Sequence, residues 1–147
     1  MPKPWQERFE TRKAKFGRGP GEVTCDLGAA EVAPLPACPT QVTIRVTLKR
    51  PNAEGLAAAA ERPAVASLEE RLVRELAMEN CWYVGKVAVG GFEDLFFYGS
   101  ALLTDDRVRP ALESSARGYE LEWGVDDDPE WGEYFGKLSP GRGPPSS

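Results

Sequence analysis

An eight-residue alternation of apolar and polar side chains constrains the fold of this chain more than any other feature. In residues 42–49 (VTIRVTLK) every second side chain is apolar, which is the period of a strand with one buried face. Residues 119–123 alternate in the same way. Between these segments, two β-branched and aromatic runs, residues 82–89 and 92–98, flank Gly90-Gly91, a pair that favours a tight hairpin. The sequence therefore predicts an antiparallel sheet.

A helix is predicted between the first of these strands and the hairpin. Ser67 is followed three residues later by Glu70, the spacing of a capping box, and we expect the helix to begin there. Asn80 is its expected end. Its apolar stripe recurs at helical spacing and consists of Leu68, Leu72 and Leu76.

A second helix is predicted after the hairpin, from Thr104 to about Arg117, with Gly118 as its terminator. Because Pro110 lacks an amide hydrogen, we expect regular helical geometry to begin only near Arg109.

The order of elements from residue 42 is strand, helix, strand, strand, helix, strand. This order predicts an α+β fold of ferredoxin-like (split βαβ) topology over residues 41–138, with both helices on one face and the first strand beside the last. Residues 1–40 are predicted to form an arm that packs one or two strands on this domain. Asp128-Pro129 predicts a short C-terminal helix ending near Leu138, and residues 139–147 are predicted to be a disordered tail.

The composition of the 147 residues excludes several kinds of chemistry. The chain has no histidine, which excludes Ser-His-Asp and Cys-His nucleophile systems and histidine-ligated zinc. Its cysteines, Cys25, Cys38 and Cys81, have no CxxC spacing, and such sparse thiols are typical of a reducing cytoplasm. No apolar run is long enough to span a bilayer. We expect a cytoplasmic protein that does not insert into a membrane.

The acidic residues indicate a partner. The net charge is −5, and the segment between Gly118 and Gly136 holds seven acids and no Lys or Arg. Asp126-Asp127-Asp128 lacks the glycine and glutamate of a calcium loop, so we expect neither a metal nor a cofactor. Charge asymmetry of this kind favours partner selection. We predict a non-catalytic interaction or regulatory protein, such as an inhibitor of a basic enzyme or toxin. The residues expected to dock this protein partner, called here the acidic edge, are Asp126, Asp127, Asp128, Glu130 and Glu133.

Three alternatives remain open at this point. The acidic edge is also consistent with a merely solvated surface, and the carboxylates with an uncharacterised enzyme. An RNA-binding module is a further alternative, because bases and aromatic residues interleave in the first 18 residues. Direct binding to nucleic acid is less expected, since the chain is acidic and lacks the RNP motif. The oligomeric state is left open. The bases of this arm are Lys3, Arg8, Arg12, Lys13, Lys15 and Arg18, and its aromatic residues are Trp5, Phe9 and Phe16.

Four segments together carry a family resemblance: residues 51–56 (PNAEGL), 84–86 (VGK), 92–98 (FEDLFFY), and 128–131 (DPEW) followed by Tyr134 and residues 138–140 (LSP). From Trp5 to Pro140, the chain resembles the bacterial family known as domain of unknown function 695. Residues 131–135 (WGEYF) are also similar to the end of the B-type regulator of ribonuclease E activity. The first resemblance implies no catalytic residues, and the second implies binding to a basic, RNA-handling protein.

Overall fold

The computed structural model describes residues 2–140 and contains a single six-stranded sheet in that range. Every neighbouring pair of strands is antiparallel, and the strand order is β1-β2-β4-β5-β3-β6. Two α-helices, one 3₁₀-helix (Leu27–Glu31) and one π-helix (Tyr134–Leu138) complete the described structure. The strands and α-helices are β1 (Phe9–Phe16), β2 (Gly19–Asp26), β3 (Thr40–Thr47), α1 (Arg62–Ala77), β4 (Cys81–Val89), β5 (Phe92–Gly99), α2 (Asp105–Ala116) and β6 (Leu121–Asp127).

The predicted pairing of the first and last strands of residues 41–138 is confirmed, because β3 and β6 are antiparallel neighbours. Their register sets Arg45 opposite Glu122. Leu121 and Trp123 pack toward the helices, and Glu122 therefore lies on the opposite face of the sheet. Both helices cover the same face of the sheet, called here the helix face. Its core contains Val42, Ile44 and Val46 of β3, Leu68, Leu72 and Leu76 of α1, and Val108 and Leu112 of α2.

A β-bulge in β4 keeps its apolar residues on one face. Trp82 and Val84 lie on the same face as Val87 and Val89, whereas strict alternation would place the two pairs on opposite faces. The bulge changes the phase, because Val84 is skipped in the pairing and Gly85 lies opposite Phe96. Gly85 has a φ of 149°, and a Cβ there would lie 2.2 Å from the Thr24 carbonyl oxygen. Glycine is therefore required at the bulge.

The opposite face of the sheet, called here the second face, is covered by both ends of the described chain. Trp5 from the N-terminal segment and Trp131, Tyr134 and Leu138 from the C-terminal segment pack over β2, β4 and β5. Tyr98 stacks on Trp131 with ring centroids 4.1 Å apart. These contacts leave the part of the second face formed by β3 and β6 open.

The N-terminal segment contributes two strands to the sheet, in agreement with the expectation of one or two. β2 pairs with β4, and β1 pairs with β2 at one edge of the sheet. The apolar pattern of residues 23–27 predicts only part of β2, and no pattern marks β1.

The predicted start of α1 at Ser67 is wrong, because the helix begins at Arg62. Pro63 lies in its first turn, where a missing amide hydrogen costs little. Glu61, just before the helix, accepts hydrogen bonds from the backbone N–H groups of Lys49 and Arg50 and from the Tyr119 hydroxyl. These long-range bonds fix the helix start five residues before the apparent capping box.

The predicted N-cap of α2 is confirmed, but the predicted start of regular helical geometry near Arg109 is wrong. Thr104 Oγ1 accepts a hydrogen bond from the Arg107 N–H, as expected for an N-cap. The helix is already regular from Asp105, however, and continues through Pro110. Pro110 is the sixth of the twelve residues of α2 and is exposed. Arg117 and Gly118 end α2 at positive φ.

The end of the described chain differs from the prediction in two ways. β6 extends to Asp127, four residues beyond Trp123, so Asp126 and Asp127 are strand residues. The helix expected from Pro129 is interrupted by Trp131, whose φ is 56°, and only the π-helix Tyr134–Leu138 follows. The predicted tail, residues 139–147, lies outside the described residues from position 141 onward.

All three cysteines are free and buried. Among residues 2–140, the helices are too short or too polar to cross a lipid bilayer.

Candidate interaction site at the acidic edge

The acidic edge surrounds the end of β6, the last strand of the sheet on that side. Successive side chains of a strand point to opposite faces, so Asp126 and Asp127 diverge. Asp126 lies on the second face, in the same row as Gln41 of β3. Asp127 lies on the helix face, beside Thr104 and Asp105 at the start of α2. Asp126 and Asp127 therefore place negative charge on both faces of the sheet at this edge.

A shallow depression on the second face, called here the edge depression, brings two of the predicted residues together. Its cavity volume is about 340 Å³. β3 forms its floor, and Asp126 and Glu133 lie on its wall. Gly124 leaves a gap in β6 where any other residue would place a side chain. The residues that line it include Gln41, Thr43, Arg45, Glu122, Asp126 and Glu133.

The positive charge on the floor of the edge depression is already neutralised. Arg45 donates two hydrogen bonds to the Asp94 carboxylate, at 2.8 and 3.0 Å. This bidentate contact raises the pKa of Arg45, with burial opposing it and Glu122 adding to it. Asp94 thus occupies the guanidinium, although Glu122 is the residue opposite Arg45 in the β3–β6 register. Glu122 and Asp126 therefore form an acidic row along β6 and make no ion pair within residues 2–140.

Asp128 is engaged within the chain. Its carboxylate accepts hydrogen bonds from the backbone N–H groups of Gly132 and Glu133, at 2.8 and 3.1 Å, and from the Tyr98 hydroxyl at 2.7 Å. Burial and the hydrogen bond to Asp128 both raise the pKa of Tyr98, so the phenol stays a donor. Asp128 therefore fixes the C-terminal segment on the second face.

The remaining members of the acidic edge differ in their partners. Glu133 forms an ion pair with Lys137, with 3.3 Å between the charged atoms. Asp126, Asp127 and Glu130 are exposed and have no hydrogen-bond or ion-pair partner on their side chains among residues 2–140. These three acids carry charge that the described part of the fold does not use.

The side-chain amide of Gln41 also lacks a partner. Gln41 is 4% exposed, and its Nε2 atom has no hydrogen-bond acceptor within the part of the chain that the structure describes. Gln41 lines the edge depression and lies opposite Asp126. A buried amide donor normally finds an acceptor, so the depression has unused hydrogen-bonding capacity beside its acidic wall.

Part of the basic N-terminal arm is used within the fold. Lys3 lies 3.2 Å from the buried Asp26 carboxylate and donates to the Tyr83 carbonyl oxygen. Arg12 donates to the Leu138 carbonyl oxygen, and Trp5 is buried. These contacts explain part of the basic and aromatic pattern of the first 18 residues without nucleic acid.

Sequence reasoning missed a second cluster of charges, formed by Glu69, Lys86 and Glu93. Lys86 of β4 donates to both oxygens of Glu69 on α1, at 3.0 and 2.8 Å, and to Glu93 of β5 at 3.1 Å. The cluster lines a groove of about 380 Å³ between α1 and the sheet. The residues come from three elements, so their meeting depends on tertiary structure. The interpretation of Ser67 and Glu70 as a capping box did not predict that Glu69 would join a charge cluster.

The charge cluster predicts a pH-dependent stability. Burial, with repulsion from Glu93, raises the pKa of Glu69 from 4.5 to about 7. Between these values the folded chain keeps a proton that the unfolded chain has lost, so stability falls as the pH rises. Glu69→Gln removes this titration. We expect the free energy of unfolding of the wild type, relative to that of the variant, to decrease from about pH 5 to about pH 7.5. This range is roughly the interval between the unfolded-state and folded-state pKa values of Glu69.

Urea unfolding at pH 5, 6 and about 7.5 measures this difference in the free energy of unfolding. The exposed neighbour Glu70 provides the matched control, because Glu70→Gln removes the same charge outside the cluster. A difference between wild type and Glu69→Gln that stays constant over this range contradicts the account of the cluster.

Within residues 2–140, no group of three or more Cys, Asp or Glu side chains has the arrangement of a metal site. The Glu69–Lys86–Glu93 cluster contains only two carboxylates, and both contact Lys86.

Comparison with known proteins identifies the family. The model described as "Family of unknown function (DUF695)" matches residues 13–139, so the chain belongs to this family. No curated protein and no solved structure matches the chain. The similarity of residues 131–135 to the B-type regulator of ribonuclease E activity stays a prediction.

Proposed function

We propose that this chain is a non-catalytic interaction or regulatory protein of the cytoplasm that binds a basic protein through its acidic edge. The observation that carries the proposal is the unused charge of Asp126, Asp127 and Glu130. Like charges in one place repel each other and cost stability, which a basic partner offsets. Exposed acids act chiefly by steering the encounter, so they favour rapid and salt-sensitive association. An inhibitor of a basic enzyme or toxin is one form of this function.

The proposal further assigns residues 41–138 a ferredoxin-like topology. The support is the strand order β6-β3-β5-β4 within the sheet, together with two helices on one face. This topology occurs in enzymes, RNA-binding modules and regulators alike, so the function depends on the acidic edge and not on the fold.

Neutralising the acidic edge tests the proposed function. We expect the triple variant Asp126→Asn, Asp127→Asn and Glu133→Gln to fold normally and to capture less of the basic proteins that the immobilised wild type captures. Asp128 is left intact because its hydrogen bonds maintain the structure. Quantitative capture at low salt, with unfolding curves of both proteins, measures the two properties.

A second triple variant, Glu54→Gln, Glu70→Gln and Glu113→Gln, is the matched control. It changes the net charge equally, at three exposed residues remote in sequence from the acidic edge. Equal losses in the two variants indicate a general charge effect and contradict a defined site. Unchanged capture by the acidic-edge variant indicates that these acids are only solvated surface.

The Glu69–Lys86–Glu93 cluster supports a second candidate function, an enzyme that uses carboxylates. A glutamate with a pKa of about 7 is suited to exchange protons near neutral pH, and Glu69 lines a groove. An activity screen of the wild type and of Glu69→Gln, with and without divalent metals, separates the candidates. A turnover that Glu69→Gln abolishes favours the enzyme, whereas a partner-binding protein stays inert in both forms.

A further inference from the structure

β6 exposes a row of backbone hydrogen-bonding groups at the acidic edge. It pairs with β3 on one side and has no neighbouring strand on the other side among the described residues. The Thr47 N–H donates to the Glu120 carbonyl, and the Asp128 N–H donates to the Pro39 carbonyl, so the backbone groups of Glu120 and Asp128 point toward β3. In an antiparallel strand the backbone groups of successive residues point alternately toward and away from the paired strand. The backbone groups that point outward therefore belong to Leu121, Trp123, Val125 and Asp127.

The side chains of β6 form two different rows along this open edge. On the second face the row is Glu122, Gly124 and Asp126, which is acidic at both ends and empty in the middle. On the helix face, Leu121, Trp123 and Val125 pack on the core but stay half-buried. A strand that paired with β6 would cover these apolar groups and place its other side chains beside the two acids.

Resting on the proposed function, we infer that the basic partner binds by adding a strand to β6. The partner strand carries Arg or Lys at two positions four residues apart, opposite Glu122 and Asp126. Apolar residues stand opposite Trp123 and Val125, and a small or polar residue lies over Gly124. Main-chain hydrogen bonds hold such a strand, and the alternating side chains select it.

The charges at both sheet edges have another explanation, because charged edge strands prevent uncontrolled pairing between molecules. The opposite edge, β1, carries Arg12, Lys13 and Lys15. A second copy of the chain is therefore the main rival occupant of β6, with its β1 as the added strand. Head-to-tail pairing of this kind produces rings or open fibres and not a symmetric dimer, which favours a different protein as the partner.

The test uses the capped peptide Gly-Arg-Val-Thr-Val-Arg-Gly and amide chemical shifts of the full chain. In the inferred pairing the N–H groups of both Val residues point toward β6, whereas those of Thr and the two Arg point away. N-methylation of both Val residues should weaken binding at least about tenfold, which corresponds to about 1.4 kcal/mol. N-methylation of Thr and one Arg is the matched control and should change binding much less. The largest shifts are expected at the amides of Trp123 and Val125.

Three other outcomes overturn the inference. In the first outcome, the peptide binds equally with either methylation pattern but does not bind the Asp126, Asp127 and Glu133 triple variant. This result excludes strand addition and still supports the proposed function. An absence of binding by the unmethylated peptide at about millimolar concentration excludes strand addition, and the capture experiment then decides the proposed function separately. Salt-sensitive self-association of the wild type, lost in the triple variant, assigns β6 to a second copy.

Discussion

Replacing Trp131 by alanine is expected to lower the free energy of unfolding by about 3–5 kcal/mol, the usual cost of deleting a fully buried Trp. Trp131 is 0% exposed and stacks on Tyr98. Its ring also meets Trp5 and Tyr134 edge to face, with centroids 5.9 and 5.6 Å away. Its indole N–H donates to the Cys38 carbonyl oxygen at 2.9 Å. The side chain thus joins both ends of the described chain to the second face.

Urea unfolding of Trp131→Ala and Trp131→Phe separates the two kinds of contact. Phenylalanine keeps an aromatic ring but loses the hydrogen bond to Cys38, so an intermediate loss is expected. A Trp131→Ala protein within about 1 kcal/mol of the wild type would show that the C-terminal segment contributes little to the core, contrary to this account.

Replacing Asp26 by alanine is expected to lower the free energy of unfolding by about 3–5 kcal/mol, because it leaves three donors without their acceptor and removes one of the two carboxylates beside the partly buried Lys3 ammonium. Asp26 is 0% exposed, and its carboxylate accepts from the Trp5 indole N–H and from the backbone N–H groups of Arg8 and Gly28. The Lys3 ammonium lies 3.2 Å from the same carboxylate. The segment before β1 is thereby fixed to the end of β2.

A double-mutant cycle with Lys3→Met identifies the source of this loss. If the loss of the Lys3–Asp26 ion pair dominates, Lys3→Met in the Asp26→Ala background should be less damaging than in the wild type. Strict additivity of the two substitutions, measured by denaturant unfolding, contradicts coupling between Lys3 and Asp26.

The sequence predicted those parts of the fold that local periodicity encodes. β3 alternates without interruption, and Gly90-Gly91 joins two apolar runs, so the centre of the sheet was predictable. β1 was not, because it is an edge strand whose first three side chains are all exposed, and only Ala14 and Phe16 alternate with polar residues at its end. The start of α1 was wrong because Glu61 is held by Lys49, Arg50 and Tyr119, which are distant in sequence.

The sequence predicted which residues form the acidic segment, but it did not predict how their side chains are arranged in space. Extending β6 to Asp127 sends Asp126 and Asp127 to opposite faces, a consequence that follows only from the observed strand length. The role of Asp128 depends on Tyr98, thirty residues earlier. The cluster of Glu69, Lys86 and Glu93 assembles from a helix and two strands, and no local pattern marks its members.

Capture of basic proteins by the two triple variants, compared at two salt concentrations, tests whether the acidic edge binds a basic partner. Raising the salt from about 0.1 M to about 1 M shortens the Debye length from about 10 Å to about 3 Å and screens exposed charges. The wild type and the Glu54, Glu70 and Glu113 control should lose capture steeply with salt. The Asp126, Asp127 and Glu133 variant should start low and change little. Identical capture and identical salt dependence in all three proteins would contradict a binding function for the acidic edge.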